Sequence, residues 1–230
     1  MSSNLGLFSA TLGKKLIMAL SGLFLILFLM AHLAGNFSLL SDDGEAFNQY
    51  AHFMKHNPII IVGEVVMFLG FIIHIVQGIA LWISNKKARS QGYAVSHKHK
   101  KVNPFSKIMG PLGMIILIFL ILHLLDFFIY KYFLPGGLSS VTYDGVEMPD
   151  LYSKVIHEFT DEAWIHIPIY IIAMFAISFH LNHGFQSAFQ TIGWNHKKYT
   201  PIIKTIGLAY AILIPAAFAA IPIIIYAKSL

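Results

Sequence analysis

An apolar stretch from Ile59 to Ser84, IIIVGEVVMFLGFIIHIVQGIALWIS, constrains the fold more than any other part of the sequence. About 20 apolar residues in a helix cross the hydrocarbon core of a bilayer, so this stretch predicts a transmembrane helix. It nevertheless contains two ionisable side chains, Glu64 and His74. Because such groups are costly inside a membrane, those that are found there are candidates for function.

The composition of the chain is typical of a membrane protein. Hydrophobic residues make up 57% of the 230 residues and charged residues 12%, which excludes an ordinary soluble domain. Cysteine is absent, which excludes disulfides, c-type haem attachment and an iron–sulfur cluster on this chain. The histidines are therefore the available soft-metal ligands. The net charge of +5 comes from lysines gathered between apolar stretches, which indicates membrane topology rather than nucleic-acid binding.

Four further apolar stretches accompany the first. Together they predict an all-α integral membrane protein, a single membrane domain with five transmembrane helices at about 14–37, 59–84, 108–132, 164–192 and 202–226. The loop 85–107 carries seven basic and no acidic residues, whereas most of the charged residues in 133–163 are acidic. Because basic loops stay in the cytoplasm, the N-terminus is expected on the cytoplasmic side.

The first four predicted helices each contain a histidine that lies in one half of the membrane. At a rise of about 1.5 Å per residue, His32 and His123 lie about 27 Å and 22 Å from the cytoplasmic starts of their helices, in the outer half. His74 and His180 lie about 22 Å and 24 Å from the external starts, in the inner half. Since the two levels differ by roughly 15 Å, the depths predict the pairs His32 with His123 and His74 with His180.

We expect the two histidines of each pair to be the axial ligands of one haem iron. The iron–nitrogen distances would be about 2 Å, as in other histidine–metal bonds. Gly78 and Gly184 each follow a histidine by one helical turn and leave room for a flat porphyrin. The first four helices would then bundle around two stacked haems. Iron with both axial positions filled has no open site for oxygen and serves electron transfer. His183 is an alternative to His180, but only His180 repeats the His-x-x-x-Gly spacing of His74.

Other side chains are weaker candidates for the same site. A hydrogen-bonded packing role is the alternative for any single intramembrane histidine, but it is much less plausible for four histidines paired in depth. Further glycines would either admit porphyrin faces or serve ordinary helix packing, namely Gly22, Gly70 and Gly113. Candidate partners for haem propionates are Lys14, Lys15, Ser21 and Trp82. The histidines expected to be solvated are His52, His56, His97, His99, His157, His166 and His196.

Four short motifs carry a resemblance to a known family. They are AHLAGN at His32, IIHIVQG at His74, ILHLL at His123 and SFHLNHGFQSAF at His180. In their order, helix number and loop polarity, over essentially the whole chain, they resemble the dihaem cytochrome b membrane-anchor subunit of succinate:quinone oxidoreductases. These are the succinate dehydrogenases and fumarate reductases with a single five-helix anchor. His183 departs from the commoner pattern of that family.

The resemblance implies a set of ligands, partners and a location. His74 and His180 would hold the haem nearer the cytoplasm, and His32 and His123 the outer haem. An FAD flavoprotein subunit for the dicarboxylate chemistry and an iron–sulfur subunit would bind the cytoplasmic face of a bacterial inner membrane. Electrons would pass between the iron–sulfur subunit and a quinone, usually menaquinone, in a physiological direction that the sequence leaves open.

A quinone site requires a group that handles protons, because reducing a quinone takes two protons with two electrons. Glu64 is the first candidate, since it lies about 8 Å inside the external end of the second helix. Its alternative role is a carboxyl hydrogen-bonded between helices. Asp126, one turn from His123, is a weak candidate, and its alternatives are a structural salt bridge or a position facing water. Glu45 is a third candidate.

Two other functions use the same residues. Another dihaem cytochrome b, the anchor of a hydrogenase or a formate dehydrogenase, would differ only in its electron donor. A haem-free proton-coupled transporter would use Glu64, Asp126 and the histidines as a relay. A reduced-minus-oxidised visible spectrum separates the haem proteins from the transporter.

Overall fold

A computed structural model describes residues 11–88, 105–133 and 137–230. Within these residues the helices are α1 (Thr11–Asn36), α2 (Glu45–His56), α3 (Pro58–Ala88), α4 (Phe105–His123), α5 (Tyr130–Phe133), α6 (Leu151–Thr160), α7 (Ala163–Thr191) and α8 (Thr200–Ser229). A 3-10 turn, Phe37–Leu40, follows α1, and a π-helical turn, Leu124–Ile129, joins α4 to α5. Strands β1 (Ser140–Tyr143) and β2 (Val146–Pro149) form an antiparallel hairpin before α6.

Five helices in the described part of the chain are long and apolar enough to cross a membrane. Their spans are Leu12–Leu40, Pro58–Lys87, Ile108–Ile129, Ala163–Thr191 and Thr200–Ser229. The predicted helical membrane architecture is thus confirmed in outline, with boundaries a few residues from the predicted ones. Large apolar side chains such as Val62, Leu69 and Ile72 on α3 are exposed, as contact with lipid requires.

The helices α1 and α7 lie at the centre of the bundle. The first packs against α3, α7 and α8, and the second against α1, α4 and α8. The last helix therefore belongs to the bundle, whereas the sequence predicted a haem-binding unit of the first four alone. Its Phe218 lies 5.6 Å from the ring of His32.

The β-hairpin departs from the all-α prediction. Its turn residues, Asp144 and Gly145, have φ angles of 51° and 78°, in the left-handed region that a tight hairpin turn uses. The sequence VTYDGVEM carries this signal, because Asp-Gly stands between two short alternating segments. Hydropathy analysis does not detect such a segment, since it is neither long nor strongly apolar.

The bundle has chemically different ends. Residues 37–57 and 137–162 form what we call the acidic end, where α2 packs against α6. There the buried side chain of Asn48 donates from Nδ2 to Asp150 Oδ1 at 2.9 Å and accepts from the backbone N–H of Tyr152 at 2.9 Å. Lys228 at the end of α8 donates to Asp42 at 2.7 Å. Residues 37–57, residues 137–162 and the end of α8 are therefore joined by specific hydrogen bonds.

The opposite end, which we call the basic end, carries Lys86 and Lys87 in the last turn of α3 and Lys197, Lys198 and Lys204 around the start of α8. Trp82 packs against Gly110 there, joining α3 to α4. Most of the predicted cytoplasmic loop, residues 89–104 with His97 and His99, lies outside the described residues. The side of the membrane that each end faces stays a prediction.

Candidate functional site

Four histidines of the membrane-crossing helices meet in two pairs. The ring centroids of His32 on α1 and His123 at the end of α4 are 5.8 Å apart. Those of His74 on α3 and His180 on α7 are 6.2 Å apart. The structure thus brings together the residues that the depth argument paired, and their role as ligands stays a prediction.

The two pairs lie at different levels of the bundle. On α1, Ser21 contacts the ring of His74, and the helical rise from Ser21 to His32 is about 16 Å. On α7, Tyr170 contacts the pair nearer the acidic end, and the rise from Tyr170 to His180 is about 15 Å. Two different helices therefore give nearly the same separation between the levels.

Both ring separations suit two imidazoles on a single metal ion. Metal–nitrogen bonds of about 2 Å, with about 1 Å more from each nitrogen to its ring centre, place coaxial ring centres about 6 Å apart. The observed separations of 5.8 Å and 6.2 Å agree with this distance. The donor set, two neutral nitrogen ligands from opposing helices, is the one that a bis-histidine haem uses.

Hydroxyl groups from neighbouring helices hold two of the four rings. Ser21 Oγ donates to the carbonyl of Met18 at 3.2 Å, so it accepts from Nδ1–H of His74 at 3.1 Å. This hydrogen bond leaves the Nε2 lone pair of His74 available for a metal. The hydroxyl of Tyr170 lies 3.0 Å from Nδ1 of His123 and orients that ring in the same way. Metal-binding histidines are commonly held by such second contacts.

Buried polar atoms without partners lie on α7 and α3. Within the described residues, Nδ1 of His180 and Oε1 of Gln77 are buried and make no hydrogen bond. Gln77 follows His74 by three residues and therefore lies near the same helix face. An unsatisfied buried polar atom costs about 1–3 kcal/mol, so native proteins keep few of them, and those that remain need an explanation. A binding site at the level of His74 and His180 would explain these two atoms.

Packing distinguishes His180 from His183. His180 makes the ring contact with His74 and its Nδ1 atom is buried, whereas among the described residues His183 makes no ring contact with His74. Helix geometry alone left both open, because residues three apart lie on overlapping faces of a helix. The interpretation that favoured His180 therefore agrees with the packing of α7 on α3.

The glycines that follow these histidines border open space. A Cβ added to Gly184 would meet no atom within 4 Å, and one added to Gly78 would meet only the Met18 methyl group at 3.5 Å. Gly113 likewise has open space beside it. A flat group beside either histidine would therefore not collide with neighbouring side chains at these positions.

Two other glycines serve helix packing and not a porphyrin face. A Cβ on Gly22 would lie 3.3 Å from His74 Cε1, so this glycine lets the imidazole approach α1. A Cβ on Gly70 would lie 2.9 Å from the ring of Phe24. Of the two roles considered for Gly22 and Gly70, these contacts correspond to helix packing.

No protein-family model matches the chain, and no curated protein or solved structure was found to match it.

Aromatic rings surround the pair nearer the acidic end. Phe28 and Phe218 lie 5.3 Å and 5.6 Å from His32, and Phe119 and Phe127 lie 5.7 Å and 5.3 Å from His123. The amide of Asn36 donates to the backbone carbonyl of His32 at 2.8 Å, and its 3.4 Å contact with Nδ1 is too long to set the tautomer. The π-helical turn begins directly after His123, and such turns are frequent at functional sites.

Glu64 is placed against an aromatic surface. Its Oε2 accepts a hydrogen bond from the Tyr132 hydroxyl at 2.8 Å. Phe128 lies 4.8 Å from the Tyr132 ring and 5.0 Å from that of Phe68. Burial, followed by the hydrogen bond to Glu64, raises the pKa of Tyr132 well above its usual range. Sequence reasoning selected Glu64 but missed Tyr132, because the π-helical turn changes which residues of this segment face α3.

Asp126 faces a polar cluster. Its Oδ2 lies 3.8 Å from His166 Nε2, which is the salt-bridge role considered as its alternative. The prediction that His166 is solvated is wrong, because its side chain is 14% exposed and contacts Glu158 at 2.7 Å. The spacing of four residues between Glu158, Glu162 and His166 was the signal available in the sequence.

The remaining predicted candidates have other contacts. Ser21 contacts the imidazole of His74 and Trp82 packs on Gly110, and their role toward haem propionates stays a prediction. Glu45 accepts from Gln49 at 2.9 Å on the surface of α2. Lys14 and Lys15 lie in the first turns of α1 at the basic end.

Proposed function

We propose that this chain is the membrane-anchor cytochrome b subunit of a succinate:quinone oxidoreductase, which passes electrons between an iron–sulfur subunit and a quinone through two bis-histidine b haems. The observation that carries the proposal is the meeting of four intramembrane histidines in two pairs, 5.8 Å and 6.2 Å between ring centroids. The choice of this family among dihaem cytochromes comes from the motif resemblance.

The chain offers a complete set of axial ligands. His74 and His180 would hold the haem nearer the basic end, and His32 and His123 the haem nearer the acidic end. When bound, such a haem supplies one-electron transfer. Hydroxyl groups on α1 and α7 hold the rings of His74 and His123, so their orientation does not depend on the metal alone.

The spacing of the two levels supports a role across the membrane. Levels about 15 Å apart cover half of a hydrocarbon core about 30 Å thick. The aromatic side chains around His32 and His123 keep water from that level, which preserves a low dielectric around the site.

Glu64 and Tyr132 form the proposed quinone site. The carboxylate exchanges a proton with the reacting quinone oxygen, and the Tyr132 hydroxyl, 2.8 Å away, orients the carboxylate. The rings of Phe68 and Phe128 provide an apolar surface for a flat quinone ring. Menaquinone is the expected substrate, because it is the usual quinone of the family that the motifs resemble.

The basic end is the proposed docking face for the flavoprotein and iron–sulfur subunits. The lysines around the start of α8 are exposed there, and positive residues favour the cytoplasmic side of a bacterial inner membrane. Electrons would then enter near His74 and His180 and reach the quinone near the acidic end, or travel in the opposite direction.

The test is a reduced-minus-oxidised visible spectrum of the gently purified complex, combined with haem-to-protein stoichiometry and identification of co-purifying subunits. We expect a b-type band, two haems per chain, and haem reduction on addition of succinate. A hydrogenase or formate dehydrogenase partner would replace the family assignment. Absence of any b-type band would overturn the haem proposal and favour the proton-coupled transporter.

A further inference from the structure

A second group of ionisable side chains lies at the acidic end, beyond the level of His32 and His123. It combines Lys154 and Glu158 of α6, Asp126 of the π-helical turn, and Glu162 and His166 at the start of α7. The side chain of Glu158 is only 4% exposed and that of His166 14%. Carboxylates this deeply buried are rare and need charged or hydrogen-bonded partners.

The contact between His166 and Glu158 contains one shared proton. Nδ1 of His166 lies 3.2 Å from the backbone carbonyl of Glu162, which can only accept, so Nδ1 carries a hydrogen. Nε2 lies 2.7 Å from Oε2 of Glu158. Two bare acceptors would repel at that distance, so a proton sits between them, on the imidazole or on the carboxyl. Lys154 pairs with the other oxygen of Glu158 and balances its charge.

Polar side chains connect this pair to solvent. Glu162 Oε2 lies 3.7 Å from His166 Nδ1, and Glu162 Oε1 lies 3.9 Å from His157 Nε2. His157 Nδ1 is 2.7 Å from Asp161. The side chains of His157 and Glu162 are each half exposed. Groups that bind protons reversibly therefore lie between solvent and His166, at separations that a water molecule can bridge.

Polar side chains also lead from this pair toward the interior. Asp126 Oδ2 lies 3.8 Å from His166 Nε2, and a single turn of helix separates Asp126 from His123. Tyr170 follows His166 by one turn on the same face of α7, and its hydroxyl lies 3.0 Å from His123 Nδ1. The cluster thus ends at the level of the histidine pair nearer the acidic end.

We propose that Glu158 and His166 form a proton relay that links the solvent at the acidic end to the quinone reaction, an inference that rests on the proposed function. Reduction of one quinone to quinol consumes two electrons, supplied by succinate oxidation, and two protons from water. For each proton, the pair passes its shared proton inward to Asp126 through a bridging water, Asp126 passes its own proton on to the reacting quinone, and the pair takes a replacement from Glu162 through water. Only O–H and N–H bonds break and form, and the pair returns to its starting charge. Quinol oxidation uses the same route in reverse.

The groups facing the pair support transfer rather than a static ion pair. Asp126 of the π-helical turn is a proton acceptor on the inner side of the pair. Lys154 of α6 is a fixed positive charge beside Glu158. Glu162, which precedes α7, is a proton donor on the solvent side. A purely structural contact between α6 and α7 would need only Glu158 and His166.

The test uses the complete membrane complex with Glu158→Gln or His166→Gln, which preserve size and hydrogen bonding but cannot carry the proton. We expect both haems to remain and succinate to reduce them at the wild-type rate. Quinone turnover should fall about 10- to 100-fold, as expected on loss of a proton-transfer group, with a larger solvent deuterium isotope effect. Glu147→Gln is the matched control, an exposed carboxylate on the hairpin of the same end, and should behave as wild type.

The outcomes separate the relay from the proposed function. Wild-type turnover in both variants overturns the relay and leaves the cytochrome proposal intact, whereas a wild-type complex without haem overturns both. If the variants lose haem, the relay is tested instead by adding Zn²⁺ to the unmodified protein. Ligand atoms of Glu158, Glu162 and His166 lie within 4.8 Å of one another, and carboxylate with imidazole suits Zn²⁺. Zn²⁺ should then bind and slow quinone turnover without slowing haem reduction by succinate, and absence of that inhibition overturns the relay.

Discussion

Replacing His180 with alanine tests the paired histidines most directly. The ring of His180 faces His74 at 6.2 Å, while the level of the other pair is about 15 Å away along α7. Sites separated by more than about 10 Å, without shared partners, respond independently to mutation. We therefore expect His180→Ala to lose the haem nearer the basic end and to keep the other, so that haem per protein falls by about half.

The assay is extracted haem per mole of purified protein, read beside the reduced-minus-oxidised spectrum. His183→Ala is the matched control, because it removes an imidazole three residues away on the same helix that makes no ring contact with His74 among the described residues. The control should keep its full haem content. Size-exclusion profiles and helical circular dichroism establish that both variants are folded.

Three results would refute the reasoning. A folded His180→Ala protein that keeps both haems shows that this residue is not an axial ligand. A folded protein that loses both shows that the two levels are not independent. Loss of one haem from His183→Ala alone assigns the ligand to the neighbouring histidine.

Further substitutions test the remaining parts of the site. Ser21→Ala and Tyr170→Phe each remove a hydroxyl that holds an axial imidazole, and should weaken haem retention about 10- to 100-fold, measured by transfer to a haem-scavenging protein. Glu64→Gln and Tyr132→Phe should slow quinone turnover while both haems remain, and unchanged turnover would reject the quinone site. Burial raises the pKa of Asp150, but hydrogen bonds from α2 and from the first turn of α6 outweigh it and hold that pKa below its ordinary value. Its contribution to stability is thus complete above the ordinary aspartate pKa and is lost as pH falls through the lower folded value. The hydrogen-exchange protection of α6, corrected for the intrinsic exchange rate at each pH, should fall on acidification, and Asp150→Ala should produce a similar loosening of about 1 kcal/mol at neutral pH.

The sequence was most informative where a property depends on residues close together in the chain. Apolar length predicted five membrane-crossing helices, and the helical rise placed His32 with His123 and His74 with His180 in depth. The hairpin at Asp144 and Gly145 was also encoded locally, although hydropathy does not reveal it.

The errors concern positions whose surroundings come from distant segments. His166 lies near the start of a predicted helix, where solvent is the natural expectation, but α6 and the π-helical turn cover it. For Gly22 the sequence left open a porphyrin contact or helix packing, and the imidazole of His74 lies against it in the structure. In each case a neighbour far away in sequence determined the role.

The sequence by itself determined how many helices cross the membrane and the depth of each histidine, because hydrophobic length and helical rise are local properties of the chain. Only the tertiary structure decided that His180 rather than His183 faces His74, and that Ser21 and Tyr170 hold the rings. The physical reason is that rotation about a helix axis is set by the packing of whole helices against one another. A rise of about 1.5 Å per residue carries no information about that rotation.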